Sequence, residues 1–166
     1  MVPIKQIIHM LRISKLSDYA IIVLGHMARH PGTTFAANEL AEAAGVASPT
    51  VSKILKALVR SGVLMSTRGA KGGYHLAKPA EMTPIANIIE SIEGPIALTE
   101  CGLDHNHCDQ FRSCNLKANW SVLNRAIQTA LEAVSLADMI QPMTRAPEEF
   151  HLPLARISQQ SRRIPE

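Results

Sequence analysis

Cys101, Cys108 and Cys114 are the only cysteines among 166 residues, and all three fall within fourteen positions of the stretch LTECGLDHNHCDQFRSCNLK. Asp104, His105, His107 and Asp109 lie among them, and no helix or strand period runs through the segment, so it reads as an ordered loop. Thiolate is the soft protein ligand, and thiols crowded on a loop suit a soft metal ion or an iron–sulfur cluster. The spacing C-x6-C-x5-C lacks the C-x2-C pair that usually marks structural zinc. Three other readings of the loop remain open. They are a zinc site completed by His105 or His107, one disulfide with a spare thiol, and buried unreactive cysteines. The first ten residues, MVPIKQIIHM, carry no signal-peptide core, and no apolar run approaches the ~20 residues that span a bilayer. A cytoplasmic, reducing location is therefore expected, and an odd cysteine count there argues against a disulfide.

A second chemistry lies upstream. Residues 11–80 hold nine Lys and Arg against three acids, a net of +6, while residues 81–140 hold three against eight, a net of −5. Such asymmetry suggests that the first half meets a polyanion and the second half stays clear of it. The basic half also has a suitable scaffold. Leu16, Tyr19, Ala20, Val23, Leu24 and Met27 follow the i, i+3, i+4, i+7 rule of an amphipathic helix, capped by Ser14 or Ser17 and closed before Pro31-Gly32. A short alanine-rich helix over 36–44 stops at Gly45. Ser48-Pro49 then reads as N-cap and first helical residue of a third helix, which buries Val51, Ile54, Leu55, Leu58 and Val59 and ends at Gly62. Two short helices around a glycine turn make a helix-turn-helix.

The polar face of that third helix carries Ser48, Thr50, Ser52, Lys53 and Lys56. Small hydroxyls near a helix N-terminus followed by lysines suit base edges and flanking phosphates of double-stranded DNA. Residues 63–67 and 74–76 then read as two short strands around the flexible tip Arg68-Gly-Ala-Lys71-Gly-Gly. A hairpin directly after a recognition helix is a wing, and Arg68 and Lys71 would reach phosphate or the minor groove. The glycines are not a nucleotide loop, because no GKS or GKT and no following helix accompany them.

In the acidic half, Thr83-Pro84 reads as N-cap and first residue of a helix burying Ile85, Ile88, Ile89 and Ile92 and ending at Gly94-Pro95. After the cysteines, Leu116, Trp120, Leu123, Ile127, Ala130, Val134 and Ala137 alternate spacings of four and three. That stripe predicts one helix over 116–140, nearly 40 Å long at about 1.5 Å per residue, more than so small a domain needs internally. It is expected to pair with its copy in a homodimer through Leu116, Trp120, Leu123, Ile127 and Val134. The expected organisation is thus an extension (1–10), a winged helix-turn-helix DNA-binding domain (11–80), the cysteine loop with a long dimerisation helix (81–140) and a tail (141–166). The fold class is mainly α, and no nucleophile–base pair or phosphate loop supports an enzyme.

These residues also resemble a known family. The run LRISKLSDYAIIVLGHMARHP, the segment SPTVSKILKALVRSGVL, the wing RGAKGGYHLAKP and the three cysteines are similar to the Rrf-type winged-helix regulators, the family of the iron–sulfur regulators IscR and NsrR. The likeness covers about residues 11–140, and IEGPIALTEC with NWSVLNRAIQTALEAVSLADM looks most like the regulators of SUF-system iron–sulfur assembly. It implies a dimeric transcription factor, repressor or activator, whose operator affinity depends on a [2Fe-2S] or [4Fe-4S] cluster on Cys101, Cys108 and Cys114. IscR-like members complete the site with a histidine three residues after the last cysteine, where this chain has Lys117. A protonated lysine offers no lone pair. NsrR-like members use an aspartate early in the first helix of the partner subunit, which corresponds to Asp18; His105 and His107 are the next candidates, and water, a small thiol or an unfilled position is the remaining alternative. The competing expectations are a zinc- or thiol-redox-sensing regulator without a cluster and, in a different class, an iron–sulfur carrier.

Overall fold

The structure, a computed structural model, describes residues 13–69, 72–99 and 114–141. Cys101, Cys108, His105, His107 and Lys71 lie outside the described residues, as do the N-terminal extension and the tail beyond 141.

Helix α1 (Lys15–Ala28) begins where the sequence predicts, with the Ser14 hydroxyl accepting from the Ser17 N–H at 3.3 Å. Helix α2 (Ala37–Ala44) is closed by Gly45 in the left-handed conformation, φ 63°. That conformation costs a side-chain-bearing residue strain and glycine none. At its other end Glu39 reaches back to accept from the Ala36 N–H at 2.7 Å. Helix α3 (Ser48–Arg60) starts one residue earlier than expected, because Ala47 rather than Ser48 occupies the N-cap and Pro49 sits inside the first turn. Its apolar face buries Val51, Ile54, Leu55 and Leu58 completely, with Val59 half-buried at the edge.

Strands β1 (Leu64–Thr67) and β2 (Gly73–Leu76) pair antiparallel, with Leu64 opposite Leu76 and Thr67 opposite Gly73. A feature the sequence does not announce holds this hairpin down. Phe35, in the connection between α1 and α2, exchanges both backbone hydrogen bonds with Tyr74, at 3.0 and 2.8 Å. Gly73 permits that approach, since a Cβ there would lie 2.4 Å from the Phe35 carbonyl oxygen. Gly73→Ala is therefore expected to push the hairpin off Phe35 and cost about 1–3 kcal/mol, the usual range for overpacking. A urea midpoint equal to that of the wild type would show that the hairpin does not depend on this contact.

A 3-10 turn (Ala80–Met82) leads into α4 (Ile85–Glu93), which buries Ile85, Ile88 and Ile89. Thr83 does not cap α4 as expected. It is buried, its hydroxyl donates to the Pro79 carbonyl at 3.0 Å, and Pro84 holds the N-cap position. The stripe over 116–140 is likewise not one helix. Helix α5 (Lys117–Glu132) stops, and a separate α6 (Leu136–Ile140) begins at an N-cap formed by Ser135, with Asp138 accepting in return from the Ser135 N–H and hydroxyl. The physical reason is tertiary. Ile85 N–H, the first free donor of α4 after Pro84, donates to the Val134 carbonyl at 2.9 Å, and Leu136 N–H donates to the Thr83 carbonyl at 2.8 Å. A continuous helix would keep Val134 and Leu136 in their own ladder and leave Ile85 and Thr83 without partners, a cost of ~1–3 kcal/mol for each buried group. Leu136 enters the main core, fully buried, together with Val23, Leu24, Leu40, Ile54, Leu58 and Ile88.

Candidate nucleic-acid interface and base of the cysteine loop

The helix-turn-helix places α3 with its N-terminal half at the surface. Ser48, Lys53 and Lys56 are exposed, and Thr50 and Ser52 are half-buried at the rim of the apolar face. Arg68 is exposed at the end of β1, where the tip of the wing begins. The predicted DNA contacts that are described thus divide between one helix face and one hairpin end, the two projections of a winged helix. The hydroxyls of Ser48, Thr50 and Ser52 lie near the start of α3, and the exposed cations Lys53, Lys56 and Arg68 lie beyond them along the helix and at the hairpin end. Anchoring by Phe35 fixes the hairpin to the same body as α2 and α3.

The second region lies where the chain leaves α4 and returns at α5. Cys114 is a free, half-buried thiol two residues before Leu116, the N-cap of α5. Asp18 is exposed in the first turn of α1. Among the described residues no three His, Cys, Asp or Glu side chains converge on a common point, and two of the three cysteines are not among them. The donor chemistry fits a soft metal group nonetheless: the described thiol is not spent on a disulfide, and the loop supplies two more.

Two further residues at this place escaped the sequence reading. Glu93, the last residue of α4, accepts from the Ser14 N–H at 2.9 Å and from the Ser17 hydroxyl at 2.5 Å. Partial burial pushes its carboxyl up, but the hydrogen bonds from Ser17 and Ser14 outweigh that and hold it below the usual carboxylate range. Asn124 of α5 accepts from the Leu98 N–H at 2.8 Å, three residues before Cys101. Neither position has a motif; only partners 76 to 79 and 26 residues away reveal them.

Helix α5 has no buried residue at all. Leu116 is 57% exposed, Leu123 49% and Val122 43%, while Trp120 and Ile127 are half-buried. Val134, expected in the same stripe, lies past the end of α5 and packs against the chain's own core. Val122 was not part of the stripe and is an exposed apolar residue about one-third of a turn away from it. No helix among the described residues is long and apolar enough to cross a membrane.

The family model for Rrf2, described as an iron-dependent transcriptional regulator, matches residues 13–142. The chain is 27% identical over 110 residues to the protein Rrf2 of Nitratidesulfovibrio vulgaris, covering 66% of this chain and 73% of that protein. Among solved structures it is similar to IscR of T. potens, with TM-score 0.59, 25% identity, and 82% and 93% of the two chains covered. It is also similar in fold to CymR, the global cysteine regulator of B. subtilis, with TM-score 0.61, 23% identity, and 79% and 97% covered.

Proposed function

We propose, from the premise that this chain belongs to the Rrf2 family of transcriptional regulators, that it is a homodimeric operator-binding protein whose DNA affinity is set by an iron–sulfur cluster on its cysteine loop. The observation that carries this reading is the conjunction, in one chain, of a winged helix-turn-helix with three cysteines inside fourteen residues, of which the described one is a free thiol. Cys101, Cys108 and Cys114 would hold the cluster, and Asp18 of the partner subunit would complete it. When bound, the cluster supplies a redox- and ligand-sensitive cross-link that ties the loop together. The chain's own residues do the rest. Ser48, Thr50 and Ser52 meet base edges or position the helix, Lys53, Lys56, Arg68 and Lys71 neutralise phosphates, and α5 sets the two recognition helices about one DNA turn, roughly 34 Å, apart over a pseudo-palindrome. Genes for iron–sulfur assembly are the proposed targets, and the cytoplasm the proposed location.

Anaerobic reconstitution with iron and sulfide tests the cluster. Brown protein with visible absorption, and iron and sulfide bound in comparable amounts, is expected from the wild type, and colourless protein from Cys108→Ala. A wild type that takes up only zinc, or nothing, would favour a metal- or thiol-redox regulator instead, a reading supported by the likeness to a cysteine regulator and by the free thiol of Cys114. The DNA contacts have their own measurement. Lys53→Ala should weaken binding to all sequences alike and lower the salt slope by about 0.9. An unchanged slope would remove Lys53 from the phosphate contacts.

A further inference from the structure

The segment that feeds the cysteine loop is fastened at both ends before the loop begins. At residue 93 the Glu93 carboxylate takes the Ser14 N–H and the Ser17 hydroxyl, so the end of α4 is bound to the beginning of α1. At residue 98 the Leu98 N–H is taken by Asn124, so the same segment is bound to α5. Ser17 is fully buried, and its own N–H donates to the Ser14 hydroxyl, so Ser14, Ser17 and Glu93 form a closed set around the N-terminus of α1. A carboxylate at that end of a helix is also favoured by the helix dipole. Helix α1 in turn packs directly against α2, α3 and α4. A displacement at the start of the cysteine loop therefore reaches α1 through two short bonds to a charged acceptor, and reaches the recognition helix by side-chain packing.

We propose that Glu93 is a positioning residue that transmits the state of the cysteine loop to the DNA-reading half by holding the start of the loop against Ser14 and Ser17 of α1. Glu93 touches neither DNA nor the thiol donors in this role. The proposal rests on the reading that the loop governs operator affinity, and it adds the residue through which the loop does so. It also explains why a buried serine sits at the first turn of α1, one residue before Asp18: the latch fixes the turn that carries Asp18 relative to the loop.

The test compares wild type, Glu93→Ala, Glu93→Gln and Ser17→Ala as full-length dimers. Operator affinity is measured for the reconstituted and cluster-free forms of each, with hydrogen exchange at the Ser17 and Asp18 amides of the cluster-free proteins as a readout independent of loading. Wild type is expected to show a ratio between its two forms within the roughly 5–150-fold span of allosteric couplings. Glu93→Ala and Ser17→Ala should shrink that ratio to within about twofold and speed exchange at both amides, while Glu93→Gln, which keeps an acceptor oxygen, should recover a substantial part of the ratio. A Glu93→Ala protein with the wild-type ratio and wild-type exchange overturns the proposal. Should Glu93→Ala fail to fold, a wild-type ratio and exchange in Ser17→Ala overturns it equally. If wild type itself binds operator equally in both forms, the sensing reading fails first, and the latch as a transmitter fails with it.

Discussion

Leu123→Glu is expected to give a folded monomer that no longer binds operator. Leu123 is 49% exposed on a helix with no buried residue, about two turns from exposed Leu116 on the same face, so a charge there leaves the core of the single chain untouched. In a dimer built on α5 the same charge would be desolvated without a partner, which costs several kcal/mol. Loss of the second half-site then removes the effective-concentration advantage of two linked recognition helices, a factor of about 10²–10⁴ in affinity. Sedimentation and operator titration on the same sample check both steps, with circular dichroism to show that the fold persists. A Leu123→Glu protein that stays dimeric at micromolar concentration would exclude α5 from the interface. The structure selects Leu123 for this test over Ile127, because Ile127 is half-buried within its own chain and a charge there would confuse folding with assembly.

Leu136→Ala should be a strongly destabilising truncation. Leu136 is fully buried in the same cluster as Leu24, Leu40 and Leu58. Cutting its isobutyl side chain back to a methyl leaves a cavity at the junction of α6 with the body of the fold, at a cost of about 2–5 kcal/mol. Against a typical domain stability of roughly 5–15 kcal/mol, that is a large fraction of the total. Met139, on the same short helix, is 50% exposed, and Met139→Ala should stay within about 0.5 kcal/mol of wild type. Urea unfolding of the two variants side by side decides the matter. A loss below about 1 kcal/mol for Leu136→Ala would mean that α6 is not part of the cooperative core.

Much of this was written in local patterns. The periodic leucines and valines of α1 and α3, the glycine that ends α2 and the hairpin after α3 each follow from short-range sterics and apolar spacing, which act within a few residues and are therefore readable along a single chain. The exposed polar face of α3 is legible for the same reason: polar side chains opposite a buried face must point outward. The boundaries were less secure. Ser48 and Thr83 have the right chemistry for an N-cap, but the first helical turn was already defined by Ala47 in one case, and the Thr83 hydroxyl found the Pro79 carbonyl in the other.

By itself, the sequence determined a winged helix-turn-helix, a basic half distinct from an acidic one, and three thiols close enough along the chain to act together. Only the tertiary structure decided where the heptad stripe ends. Val134 and Ala137 continue the spacing of Leu116, Trp120, Leu123 and Ile127, yet they are packed on or buried in the chain's own core. The chain breaks there because Ile85 and Thr83 of a distant segment need partners that Val134 and Leu136 can give only outside a continuous helix, and because Gly25 leaves room for Ile140 to close against α1, where a Cβ would lie 3.0 Å from its Cγ2. The Glu93 latch was decided the same way. An acid at the end of a helix resembles any surface acid until folding brings Ser14 and Ser17 to it, since a hydrogen bond depends on angstroms in space and leaves no period in the chain.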